Sequence, residues 1–231
     1  MTDRAEVIAL LDELIIAVDD RLDIATKAEG YKPLAKRYNV ELFGAFNGYL
    51  TMDDSLVKAR NDAKKLIVEY FYSAFVRGYE ETGASEDDLT GDSDDLAWLN
   101  DRTEAEIGYI GTAFAALKEA KKQEGITRDE LITLAHERAD GYTDSLNAVY
   151  NMGLLRGDKA QLLEWVLGDT EVHCENKSGS FGCLQLAGQK HKASWYVSRN
   201  LIPRMPGSGT TCGGYQCDCK LKNKQGEWVT L

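Results

Sequence analysis

Apolar residues return every three or four positions through most of the first 168 residues. That spacing gathers them on one face of an α-helix. Val7, Leu10, Leu11, Leu14, Ile15 and Val18 make the first stripe, and Asp3 with Glu6 resembles a capping box at its start. This helix is expected to end near Gly30, just before Pro33. Residues 31–50, "YKPLAKRYNVELFGAFNGYL", scatter aromatics among glycines and read as a short helix and a loop. A second clear stripe runs through Leu56, Ala59, Ala63, Leu66, Tyr70, Phe71, Ala74 and Phe75, with stops offered by Gly78 and Gly83. A third helix is predicted from about Asp94 to Glu124, with Trp98, Ile107, Ile110, Phe114 and Leu117 inward and Gly125 ending it. "TRDE", Thr127 to Glu130, is a capping box that opens a fourth, carried by Leu131, Leu134, Ala135, Ala139, Tyr142, Leu146, Val149 and Tyr150 and stopping at Gly153–Gly157.

Between the second and third stripes lies the acidic run "EETGASEDDLTGDSDD". Its oxygen ligands do not fall at alternate positions with a closing glutamate, so it reads as a solvated linker and helix start rather than a calcium loop. After Gly157 the pattern shortens. "QLLEWVLGD" reads as a helix end or a strand, and the remainder of the chain is loop-rich, with two of the three prolines. The predicted fold is mainly α: a helical bundle over residues 1–168, then a small loop-rich α+β module over 169–231.

Charge changes at the same place. The whole chain carries −11, yet from Asp169 onward eight basic residues face five acidic ones, so the tail is +3 and the rest −14. A strongly acidic chain is not a general nucleic-acid binder, which needs clustered lysine and arginine. Eight scattered basic residues in the tail leave only a weak case for contact with DNA or an acidic partner. No run of 18 apolar residues is present, so no transmembrane helix is expected, and Glu6, Asp12 and Glu13 break up the opening stretch as a signal peptide. Synthesis in a cytoplasm, where thiols stay reduced, is expected.

Cysteine use changes there too. All five cysteines, Cys174, Cys183, Cys212, Cys217 and Cys219, fall in the tail. The tail has few apolar residues with which to close a core, and small modules with that deficit need a staple of metal or disulfide. Zinc suits clustered thiolates in a reducing compartment. "CGGYQC" supplies a tight turn, since its two glycines let the backbone curl until both sulfurs face one point. Cys217 and Cys219 are two apart and point to opposite faces unless a turn intervenes. Cys174 and Cys183 are separated by the longer insert "ENKSGSFG". Five thiols compete for four places, with His173 and His191 in reserve. Disulfides, five free thiols and a catalytic cysteine are the other readings. The last lacks any nucleophile motif, and there is no HExxH for an open catalytic zinc. His136, alone on "LAHERAD", reads as a surface or packing residue.

Taken in order, "TRDELITLAHERADGYTDSLNAVYNMG", the tryptophan of "LLEWVLGDTEVHC", "CLQLAGQ", a further tryptophan, the "IPRMPG" turn and the terminal "CGGYQCDCKL" resemble the C-terminal region of phage head morphogenesis proteins, the Mu F-like minor head proteins. The resemblance covers roughly residues 127–221. In that family an acidic residue precedes a Cys-x-x-Cys pair, an L-x-G follows, and a closing turn ends in Cys-x-Cys. The matching positions are Cys174 and Cys183, then Leu186-Ala187-Gly188, then Cys212, Gly213, Gly214, Cys217 and Cys219. The first pair is stretched here, and Cys212 stands where many members have histidine. The resemblance implies a structural, non-enzymatic protein of the virion head. It would be made in the bacterial host cytoplasm and act with portal and major capsid proteins in assembly. A zinc-binding adaptor that recognises protein or nucleic acid is the alternative.

Overall fold

The computed structural model describes residues 31–52, 54–91, 93–205, 207–214, 218–226 and 229–230. The stripe at Val7–Val18, its capping box and Cys217 lie outside the described residues. The helices are α1 (Tyr31–Thr51), α2 (Leu56–Glu80), α3 (Glu86–Gly91), α4 (Ser93–Lys121), α5 (Arg128–Gly157), α6 (Cys183–Leu186) and α7 (Ala193–Ser198). Among the described residues, three short strands, β1 (Leu162–Val166), β2 (Lys190–Lys192) and β3 (Lys220–Lys222), complete the order. The architecture is therefore mainly helical with a small antiparallel sheet in the C-terminal region, as the periodicity predicts. The expectation fails at residues 31–50, which form one helix and not a short helix and loop. A buried stripe holds it: Leu34, Tyr38, Leu42, Phe46 and Tyr49 recur at helical intervals and all face the core. Gly44 and Gly48, which read as breakers, sit inside the helix without interrupting it.

By its contacts the chain forms two compact units. Among the described residues, the first draws on those up to Ser73 and on Leu96–Thr143, and the second on Ala74–Asp95 and on those from Asp144 onward. In the first, Phe46 lies 5.2 Å from the Phe114 ring and 6.0 Å from that of Tyr142, and Tyr38 lies 5.2 Å from Tyr70. Ile67, Phe71, Ile110 and Leu117 are fully buried in the same unit. His136 is exposed and stacks on Phe43 with centroids 3.9 Å apart, a packing role.

The capping box at the head of α5 forms as the sequence predicts. Thr127 donates its backbone N–H and its hydroxyl to Glu130 Oε2, both at 2.8 Å, and Glu130 N–H donates back to Thr127 Oγ1 at 3.3 Å. The backbone and hydroxyl hydrogen bonds from Thr127 hold the Glu130 carboxyl below its ordinary range. A carboxyl depressed in the folded state stabilises the fold above its unfolded pKa, and that contribution is lost as pH falls through the folded value. Thr127→Ala removes the N-cap, which is expected to cost about 1 kcal/mol, and should flatten the loss of stability on acidification. Thermal melts of both proteins across a pH series from neutral into the acid range check both effects.

In the second unit the end of α2 meets α5 with almost no side chain between them. A Cβ on Gly78 would lie 2.3 Å from the Tyr150 carbonyl oxygen, and one on Gly153 would lie 2.2 Å from that of Phe75. Gly157 is as close to Thr82 Oγ1, at 2.3 Å. Asp95, fully buried, is neutralised by Arg156 and by Lys159 Nζ at 3.0 Å.

The sheet has the order β2-β1-β3, with both pairings antiparallel. "QLLEWVLGD" thus resolves as a strand. Its alternation is the reason: Leu163 and Trp165 are fully buried, while Leu162, Glu164 and Val166 are not. Glu164 pairs in register with Lys190 on one side and Lys222 on the other.

Candidate metal centre

The two cysteines separated by a long insert are brought together by a turn inside that insert. Ser180 N–H donates to the Lys177 carbonyl at 3.0 Å, and Gly179 has φ +85°, which a side chain rarely tolerates. The chain therefore doubles back. Gly182 passes so near the first arm that a Cβ would lie 2.3 Å from the Glu175 carbonyl carbon. Leu184 N–H then reaches the Cys174 carbonyl at 3.3 Å, and Cys183, at the start of α6, arrives beside Cys174.

Cys212 is delivered separately. Thr211 N–H donates to the Phe181 carbonyl at 2.8 Å, beside a parallel bridge between Phe181 and Thr210, and the Ser180 and Thr211 hydroxyls lie 2.9 Å apart. Gly213 and Gly214 come next with φ +62° and +77°, so the glycines after Cys212 do curl the backbone. A Cβ on Gly214 would lie 1.9 Å from the Met205 carbonyl oxygen, so only glycine fits.

The outcome is a triad. The sulfurs of Cys174, Cys183 and Cys212 all lie within 4.8 Å of one another, with Cys174 and Cys183 at 3.2 Å. Sulfurs around one tetrahedral zinc are about 3.8 Å apart, given a bond of ~2.3 Å to each. A disulfide would need about 2.05 Å, and Cys174, Cys183, Cys212 and Cys219 are all thiols. Burial pushes the Cys174 thiol up, but hydrogen bonds from the N–H and thiol groups of Cys183 and Cys212 outweigh it and hold the group below its ordinary value. One of these, Cys183 N–H to Cys174 Sγ, is 3.2 Å long. N–H groups aimed at a sulfur favour its anionic form, the form that binds a metal.

Cys219 does not join the triad. It is fully buried and groups with His173 and Asp218, whose donor atoms likewise lie within 4.8 Å of one another. His173 Nδ1 is 3.9 Å from Cys219 Sγ. Asp218 is a donor that sequence reasoning does not single out. Its only signal there is its place between Cys217 and Cys219, and its approach to His173 is a long-range contact. Each of the two groups, Cys174 with Cys183 and Cys212, and His173 with Asp218 and Cys219, could hold a metal ion.

His191 stands elsewhere. It lies on β2, with Nε2 3.0 Å from Gln189 Oε1 and its ring stacked 3.6 Å from Trp195. Arg199 lies over the same indole at 4.5 Å. With Lys190, Lys192, Ser194, Trp195 and Ser198 it lines an open groove of about 480 Å³. Lys190 is tied to Glu164 at 3.2 Å.

The fold and these clusters define a class: a mainly helical chain with a small cysteine module able to hold a metal. No protein-family model, no curated protein and no solved structure matches the chain. Among the described residues no helix is long and apolar enough to cross a membrane.

Proposed function

We propose that this chain is a structural minor head protein of a bacteriophage, acting with portal and major capsid proteins, and that zinc staples its C-terminal module. The observation that carries the staple is the convergence of the Cys174, Cys183 and Cys212 sulfurs on one point. Three sulfur donors favour zinc over harder cations. The role in the head rests on the order of motifs from "TRDE" to "CGGYQCDC". The role is structural and not enzymatic, because the cysteines lie in no nucleophile motif.

The zinc part predicts about one tightly held zinc per chain after purification under reducing conditions. Elemental analysis checks it, and metal-free protein would refute it. The head part predicts that the chain co-sediments with the portal protein encoded beside it. A genome with no portal or capsid gene nearby would sink that part alone. A zinc-binding adaptor that recognises protein or nucleic acid is the second reading, favoured by the groove around Trp195 with Lys192 and Arg199. It gains if a labelled oligonucleotide binds with steep salt dependence while portal does not co-sediment.

A further inference from the structure

We infer that His173, Asp218 and Cys219 form a second metal site, separate from the triad of thiols. This site goes beyond the zinc staple but shares its loops, so the two must be tested apart. Three kinds of donor converge here: an imidazole nitrogen, a carboxylate oxygen and a thiol sulfur, all within 4.8 Å of one another. His173 Nδ1 and Cys219 Sγ are 3.9 Å apart. That is long for a hydrogen bond between them. It is close to the ~3.6 Å expected of a nitrogen and a sulfur sharing one tetrahedral zinc.

The carboxylate is held as a ligand would be. Thr170 N–H donates to Asp218 Oδ2 at 2.9 Å and the Thr170 hydroxyl donates to Oδ1 at 2.7 Å. The backbone N–H groups of Asp169 and Asp218 also bond to this carboxylate, and metal-binding carboxylates are usually oriented by such outer hydrogen bonds. The position also depends on Gly168, where a Cβ would lie 2.1 Å from Asp218 Cγ. His173 is next to Cys174 in the chain but does not share its cluster. Neighbouring side chains on extended backbone diverge, which lets one loop serve two ions.

The donor set suits zinc or another late divalent ion of the first transition row, with water in a fourth position. Three mixed donors should hold it less tightly than a thiolate-rich site. The test uses the full chain, loaded with zinc sulfate or cobalt chloride under reducing conditions and dialysed. Two ions per chain are expected, one of them removed first by a weak chelator. His173→Ala and, separately, Asp218→Asn should each lower the count from two to one. Both should retain the sulfur-to-cobalt charge-transfer band of the triad. One ion in the wild-type chain that His173→Ala retains overturns the second site, whereas one ion that His173→Ala removes overturns the triad as a separate site. No ion at all overturns the staple as well. The wild-type count needs no variant to fold.

Discussion

Replacing Cys174 and Cys183 together by serine is expected to make the chain from about Asp169 onward protease-sensitive while most of the helical signal survives. On the zinc-staple proposal, the tail's order rests on the returning turn at Lys177–Ser180 and on the sulfurs it brings together. Zinc contributes about 10–16 kcal/mol to folding in small modules, far more than a three-stranded sheet of this size supplies. The helices carry their own buried stripes, among them Tyr38, Leu42 and Phe46 in α1 and Ile110, Phe114 and Leu117 in α4. Limited proteolysis with circular dichroism on wild type and double mutant checks the prediction, and a strong chelator should reproduce it. A protease-resistant tail in the mutant would mean that the cysteines are not its staple. Helical loss would show that the segments Ala74–Asp95 and Asp144–Gly157, which belong to the same unit as the tail, depend on it.

The second large effect is expected at Gly153. Gly153→Ala places a methyl group 2.2 Å from the Phe75 carbonyl oxygen, a backbone atom that cannot swing away. The helices must separate, at a cost of about 3 kcal/mol. In a chain of this size that lowers Tm by roughly 6–12 °C. Gly141→Ala, in the same helix, meets nothing within 4 Å. It should leave Tm unchanged or raise it slightly, because alanine is worth about 0.5–1 kcal/mol over glycine in a helix. Thermal melts of the two variants side by side decide the point. A Gly153→Ala protein as stable as the Gly141→Ala one would mean that α2 and α5 are not in close contact.

The helices are legible in the sequence because a buried face repeats at helical spacing over many turns. The stripes of α2, α4 and α5 are visible in Phe71, Phe114 and Leu146 and their neighbours. The head of α5 can be read to the residue because Thr127 and Glu130 bond locally. The full length of α1 is not legible, because its glycines argue by propensity for a break, whereas packing of Tyr38, Leu42 and Phe46 overrides it. β2 and β3 span three residues each, too few to show alternation. In the site, the thiols declare themselves by composition and the curl after Cys212 by its glycines. The pairing of His173 with Asp218 and Cys219 depends on a contact across most of the tail, which no local pattern records.

The thiol triad also sets a timetable. Cys174 and Cys183 leave the ribosome well before Cys212, and the strand that completes the sheet, β3, comes later still. During synthesis the first two sulfurs therefore emerge as a pair without their third partner, and on the staple proposal two thiolates alone would hold an ion only loosely. Firm loading would then wait until Thr211 has bonded to Phe181 and brought Cys212 into place. If the triad takes a metal as proposed, its capture is a closing event in the life of the nascent chain, and a cell short of metal would accumulate molecules whose helices are finished and whose tails are not.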